Sequence, residues 1–251
     1  MTNSRLKKSI KEGKNFVLPK TGSYQCRCLQ VIDFGFQVPP NPAWTSANKM
    51  LIVWELVDTN HVFDEKVGAQ PFVVNKDIYV DDVTEKNKAG KFFNLWIPGS
   101  VVTGKQTDFS NLVGAAGEIT IVIVPKKTKP DEKKVDVSHV EPADGDKVAA
   151  VRNPFVYFEI GSNECLYKEV GGETQTLAWF DLFPKLYRWM QKSIANTDTF
   201  KDACREQNVA LTFDSDGYPE LTVGAPFDAN KEKADDELTS DNPNLKGKQG
   251  F

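Results

Sequence analysis

No stretch of the chain approaches the roughly 20 consecutive apolar residues of a membrane-spanning helix. The N-terminal segment carries positive charge but no apolar core and no small-residue cleavage site, so an export signal is not expected and the cytosol is the expected location. Histidine is almost missing. His61 and His139 are the only two, both in ordinary turn or strand context, so no Ser/His/Asp or Cys/His catalytic arrangement can be assembled. The four cysteines, Cys26, Cys28, Cys165 and Cys204, form neither a CxxC pair nor an evenly spaced disulfide framework. Free thiols are expected, and no metal site is expected around Cys26 and Cys28, although alternation puts both on one face of a strand. Excess positive charge is absent as well. The formal charge is −4, and six acidic against four basic residues from Asp228 onward account for half of it. The body is therefore not basic, and a polyanion would have to be met by a local groove.

One phosphate-binding signature begins and then fails. Gly99-Ser-Val-Val-Thr-Gly104-Lys105 has P-loop spacing, but Gln106 stands where a hydroxyl should reach Mg²⁺, and Trp96-Ile-Pro98 precedes it in place of a buried strand. Asp214-Ser-Asp216-Gly217 lacks the later ligands of a Ca²⁺ loop and reads as a hairpin turn. Asp81, Asp82 and Glu85 read as a solvated loop. No catalytic residue and no cofactor are expected.

What is present is 40% apolar residues, enough for one substantial core, patterned mainly with period two. Gly22 to Gly35 alternates, with Tyr24, Cys26, Cys28, Ile32 and Phe34 on one side and Gln25, Arg27, Leu29, Val31 and Asp33 on the other. A Pro/Asn-rich loop carrying Trp44 follows. Lys49–Asp58 and Pro71–Val80 read as paired strands across a charged turn from His61 to Gly68. Lys91–Trp96 reads as a short helix stopped by Pro98, and Asp108 as the cap of another helical turn before Gly114. Glu118–Val124 and Lys134–Val140 are further strands, separated by a lysine-rich loop. This is a mainly β chain with added α. Five strands with a helical insertion between the third and fourth suit a closed antiparallel barrel of the oligonucleotide-binding type over residues 16–142, after a flexible arm over 1–15.

Residues 143–227 are expected to form an extension packed on the barrel. It holds an extended Asn153–Ile160, a Gly171-Gly172 turn and a helix from Phe183 to Ile194. In that helix Phe183, Tyr187, Met190 and Ile194, widened by Leu182, Leu186 and Trp189, form one apolar stripe. A second helix near Thr199–Gln207 leads into a hairpin, Val209–Phe213 with Tyr218–Val223. Residues 228–251 read as a disordered acidic tail.

Single-strand binding needs aromatic faces for bases and cations for phosphates. The aromatic candidates are Trp44, Phe72, Tyr79, Phe92, Phe93 and Trp96. The cationic ones are Arg27, Lys49, Lys76, Lys91, Lys105, Lys126, Lys127 and Lys129. Tyr24, Phe34 and Trp54 are expected in the core.

The order of several short motifs carries a resemblance: Phe16-Val-Leu-Pro19 before Gly22-Ser-Tyr24, Val31-Ile-Asp-Phe-Gly35, Trp54-Glu55, Asp108-Phe-Ser-Asn-Leu-Val-Gly114, Val140-Glu-Pro142, Asn153-Pro154, and the Pro-containing Leu182–Ile194 segment. Over residues 16–195 the chain resembles phage early-region single-stranded-DNA-binding proteins with an oligonucleotide-binding fold. The resemblance implies sequence-independent binding of single-stranded DNA, in the host cytoplasm, that protects replication or recombination intermediates. A tail of this kind would compete for the basic groove or recruit replication or recombination enzymes, and a homodimer is compatible with the sequence. Two other readings stay open: a phage structural or assembly protein without nucleic-acid affinity, and a nucleotide-dependent enzyme using the 99–107 loop.

Overall fold

Alternation over Gly22–Gln37 produces β1, a 16-residue strand around which everything else is organised. The computed structural model describes residues 18–38, 46–64, 68–81, 83–102, 105, 107–126 and 129–224. The expected arm over 1–15, the expected tail from 228, Trp44 and Lys127 lie outside the described residues.

β2 (Ala47–Asp64) and β3 (Gly68–Tyr79) follow β1 as an antiparallel hairpin. The segment expected as a turn from His61 is mostly strand, because the ladder continues past an irregularity between Glu55 and Asn60 as far as Asp64 opposite Gly68. Helix α1 (Lys88–Trp96) is capped by the Asn87 side chain, and a 3₁₀ turn at Phe109–Leu112 is capped by Asp108. Both remove orphan N–H groups from a helix start. β4 (Ala116–Pro125) then pairs with the first half of β1, and β5 (Lys133–Pro142) pairs with β4. The order is thus β3-β2-β1-β4-β5. Among the described residues no backbone ladder joins β3 to β5, so the expected closed barrel is an open sheet. Lys76 bridges that gap with its ammonium, 3.2 Å from Asp136 Oδ1 and also bonded to the Val137 carbonyl.

β1 is not uniform. Its register against β2 slips between Cys28 and Gln30 and again between Asp33 and Phe36. An extra residue in a period-two strand inverts its faces. Tyr24, Cys26, Cys28 and Val31 therefore meet the core shared with β2–β5 and α1, whereas Ile32 and Phe34 turn to the opposite side. This corrects the single face expected for Tyr24 through Phe34. Beyond the first slip β1 exchanges β4 for β6 (Phe155–Phe158), which pairs parallel with Gln30–Ile32. Gly35 makes the second slip possible. Its φ is +66°, and a Cβ there would stand 3.0–3.1 Å from Thr199, Ile160 and Thr197, a conformation and a space only glycine fits.

After β6 the chain adds β7 (Cys165–Lys168) and β8 (Thr174–Leu177) to the same sheet, two short strands on either side of the expected Gly171-Gly172 turn. The helix expected over Phe183–Ile194 is broken into α2 (Trp179–Leu182), a 3₁₀ turn at Phe183–Lys185 and α3 (Arg188–Ala195). Pro184 has no N–H with which to continue a helical ladder, and Leu186 and Tyr187 are extended. The buried Gln191 amide donates to the stranded carbonyls of Leu186 at 2.7 Å and Pro184 at 3.2 Å. α4 (Asp198–Glu206), capped by Thr197, leads to the hairpin β9 (Val209–Phe213) and β10 (Pro219–Val223), where Asp214 accepts from the N–H groups of Asp216 and Tyr218.

Two apolar cores result, one on each side of β1–β2. The first holds Cys26, Cys28, Trp54, Phe93 and Trp96, and the second holds Phe34, Leu51, Val53, Trp179, Phe183 and Phe200. Trp96 lies against the β4 backbone, where Gly117 leaves room: a Cβ there would be 2.8 Å from the indole nitrogen. Two polar anchors hold the connection between the cores. Arg27 donates to the carbonyls of Gly114, Gly145, Val148 and Ala149. Buried Glu55 accepts from the N–H groups of Arg152 and Asn153 and from the Asn153 amide. Among the described residues no helix is long and apolar enough to cross a membrane.

Candidate nucleic-acid interface

The second core covers the outward side of β2 and stops short of β3. Across the β2–β3 ladder, Glu55, Val53 and Leu51 are buried, while their partners Val73, Asn75 and Asp77 are exposed. The sheet edge therefore forms a step, with the outward row of β3 as floor and the C-terminal elements as wall. Lys49 and Tyr79 are register partners at the end of this row. Tyr79 is 61% exposed. The Lys49 ammonium sits 2.8 Å from Asp77 Oδ2 and 5.4 Å from the centroid of the Phe34 ring. Trp189 of α3 also packs on Phe34, with centroids 6.0 Å apart and planes tilted by 39°. It keeps half of its surface exposed, as does Tyr187. Both were expected in the apolar stripe of a continuous helix. The break at Leu186–Tyr187 restarts the helix in a different phase, so Met190, Gln191, Ile194 and Ala195 face inward and Trp189 is turned out against Phe34.

The remaining sequence candidates separate sharply. Phe72, Phe93 and Trp96 are buried in the first core and Phe92 packs on it, so none of these rings offers a free face to a base. Arg27 is spent on four carbonyls and Lys76 on β5, which makes both of them braces. Lys126 and Lys129 converge on Glu132 at 2.5 and 2.8 Å. Their hydrogen bonds draw the Glu132 carboxyl down to about 2, and both lysines are tied to that one carboxylate within their own loop. Lys91 and Lys105 are exposed and stand apart from the Lys49–Trp189 group. Of the candidates, the structure brings together Lys49 and Tyr79. It adds Trp189 and Tyr187, whose signal in the sequence was the Lys185-Leu-Tyr187-Arg188-Trp189 run, aromatic and cationic residues interleaved directly after a proline.

Among the described residues no group of three or more His, Cys, Asp or Glu side chains is placed to hold a metal ion. The 99–107 loop borders a cleft of about 330 Å³ lined by Phe93, Pro98, Asp108 and Asn111. There the Asp108 carboxylate is already bonded to Ser110 and Asn111. Thr103, Gly104 and Gln106 lie outside the described residues. Desolvation raises the Cys28 thiol well above its usual value and pushes Cys165 up to about 11, so both are inert packing groups. Burial, with the Glu159 charge next to it, raises the Tyr157 phenol, which donates to Glu159 Oε2 at 2.9 Å.

No family model, curated protein or solved structure matches this chain.

Proposed function

We propose that the chain binds single-stranded DNA without regard to sequence, on the step formed by the outward row of β3 and the wall carrying α3. One observation carries the reading. A tryptophan ring, Trp189, is held half exposed against Phe34, the ring that Lys49 also approaches, and the exposed Tyr79 is the register partner of Lys49. Tryptophan is expensive to leave in water, and a ring backed by another aromatic, with a second exposed aromatic in the same region, matches what stacking of successive bases requires. The strand order supports an oligonucleotide-binding-type framework. β1 pairs with both β2 and β4, a helix lies between β3 and β4, and Lys76 spans the seam between β3 and β5 where such a barrel would close. The motif order over residues 16–195 points to the same class of phage protein. In this reading the protein protects exposed strands during replication or recombination and performs no chemistry on them.

Titration of the full chain with oligo-dT at two salt concentrations tests it. Intrinsic tryptophan emission should be quenched, affinity should fall as salt rises, and Trp189→Ala should remove most of the quenching and weaken binding roughly tenfold, the loss of one stacked base. Unchanged emission together with no retardation of the oligonucleotide at low salt would overturn the proposal.

A further inference from the structure

Among the candidate cations described above, Lys49 is paired with Asp77, Lys76 with Asp136, and Lys126 and Lys129 share the single carboxylate of Glu132. Arg188 and Lys192 are different. They stand one turn apart on α3, and neither takes part in an ion pair among the described residues. Instead both sit over one tyrosine ring of the terminal hairpin, with the Arg188 guanidinium carbon 4.7 Å and the Lys192 ammonium 5.7 Å from the Tyr218 centroid. Like charges at this helical spacing repel each other. The ring face offsets that repulsion and holds the two groups side by side. An anion placed between them would remove it altogether. Trp189 lies on the same short helix, so these cations begin where the proposed step ends.

We propose that the bound strand continues from the β3 step across α3 onto the hairpin, where Arg188 and Lys192 grip backbone phosphate. The C-terminal elements then supply a second subsite and are more than a brace for the sheet. This inference rests on the single-strand reading above. The occupant is a nucleic-acid backbone because the two cations prolong a row that already presents Tyr79, Lys49 and Trp189, and because two adjacent cations without an ion pair among the described residues suit the closely spaced charges of a polyanion.

The test compares the parent with Arg188→Gln/Lys192→Gln, both in the full chain, by fluorescence anisotropy with labelled oligo-dT of about 6 and about 25 nucleotides, lengths that bracket one and more than one site of this kind. The short oligonucleotide is expected to bind both proteins within twofold, since it fits on the step. The long one should bind the variant roughly tenfold more weakly, with its log–log salt slope smaller by about 1.4, the value for two lost contacts to a single strand. Arg188→Lys/Lys192→Arg should restore both. If the parent binds both lengths and the glutamine variant changes neither affinity nor slope, the second subsite is refuted while the step survives. That outcome includes the case in which the cations serve the chain's own acidic segment. Equal loss for both lengths also refutes a separate subsite. A parent that binds neither length overturns the single-strand reading itself.

Discussion

Replacing Glu55 by glutamine probes how the C-terminal elements are fastened to the sheet. The carboxylate is 1% exposed and accepts from the Arg152 N–H at 2.8 Å, the Asn153 N–H at 3.1 Å and the Asn153 Nδ2 at 2.6 Å. Glutamine has nearly the same shape, so no cavity opens, but one acceptor becomes a donor. Its remaining oxygen can keep the Arg152 N–H, and the Asn153 amide can turn to accept from the new NH₂. The Asn153 N–H then faces a donor and is left without a partner, at a cost of about 1–3 kcal/mol. The two surviving bonds fall from charge-assisted to neutral, roughly another 1 kcal/mol together. A neutral amide is less costly to bury than a carboxylate, which offsets part of the loss. The net expectation is about 2 kcal/mol for Glu55→Gln. Glu55→Ala should cost about 4 kcal/mol, because it strands all three donors and leaves a void. Urea unfolding at neutral pH, followed by tryptophan emission, measures both, since Trp54 and Trp179 lie in different cores. Limited proteolysis should also cut between residues 143 and 154 sooner in both variants. A glutamine variant within about 0.5 kcal/mol of the parent, cut no faster, would refute the view that this carboxylate orders the connection.

Other outcomes follow from the same polar anchors. Arg27→Lys replaces a planar fork serving four carbonyls with a single ammonium. A loss of about 2 kcal/mol in urea unfolding is expected, with the salt slope of oligonucleotide binding unchanged, and a smaller slope would show that Arg27 meets phosphate after all. Burial raises the Asp33 carboxyl above its ordinary 3.8, opposed by N–H groups of Gly35 and Ile160. Because the folded state then holds the proton more tightly than the unfolded chain, Asp33 subtracts stability as pH rises from about 3.8 to the raised native value, and the subtraction is constant above it. The stability of Asp33→Asn relative to the parent should therefore climb through that interval and level off. A flat or falling difference would mean that the buried carboxyl ionises as freely as an unfolded one.

Sites that the sequence presented as aromatic or basic divided according to what their neighbours already demanded. Phe93 and Trp96 looked available because they occupy a short insertion, but α1 is held against the sheet by those rings. Lys126 and Lys129 looked like a phosphate cradle, but Glu132, a few residues on, closes the loop onto itself. Trp189 looked buried because helical spacing was counted through Pro184. The last reversal shows that periodicity assigns a side chain to a face only while register is unbroken.

Local pattern alone therefore determined much of this protein. Alternation and turn residues specified five strands before Pro142, the two helical turns between the third and fourth with Asp108 capping the second, the terminal hairpin and the free cysteines, because these depend on residues close in the chain. Tertiary structure decided the rest. Which edge of β1 receives β4 and which receives β6, where its two slips fall, why the sheet stays open beside Lys76, and which aromatics are left facing water all depend on pairings between residues distant in the chain, 60 positions for Lys76 with Asp136 and 98 for Glu55 with Asn153. Their energies come from packing and from shared hydrogen-bond partners, such as Glu55 with Asn153 and Phe34 with Trp189, and no window of sequence contains both members.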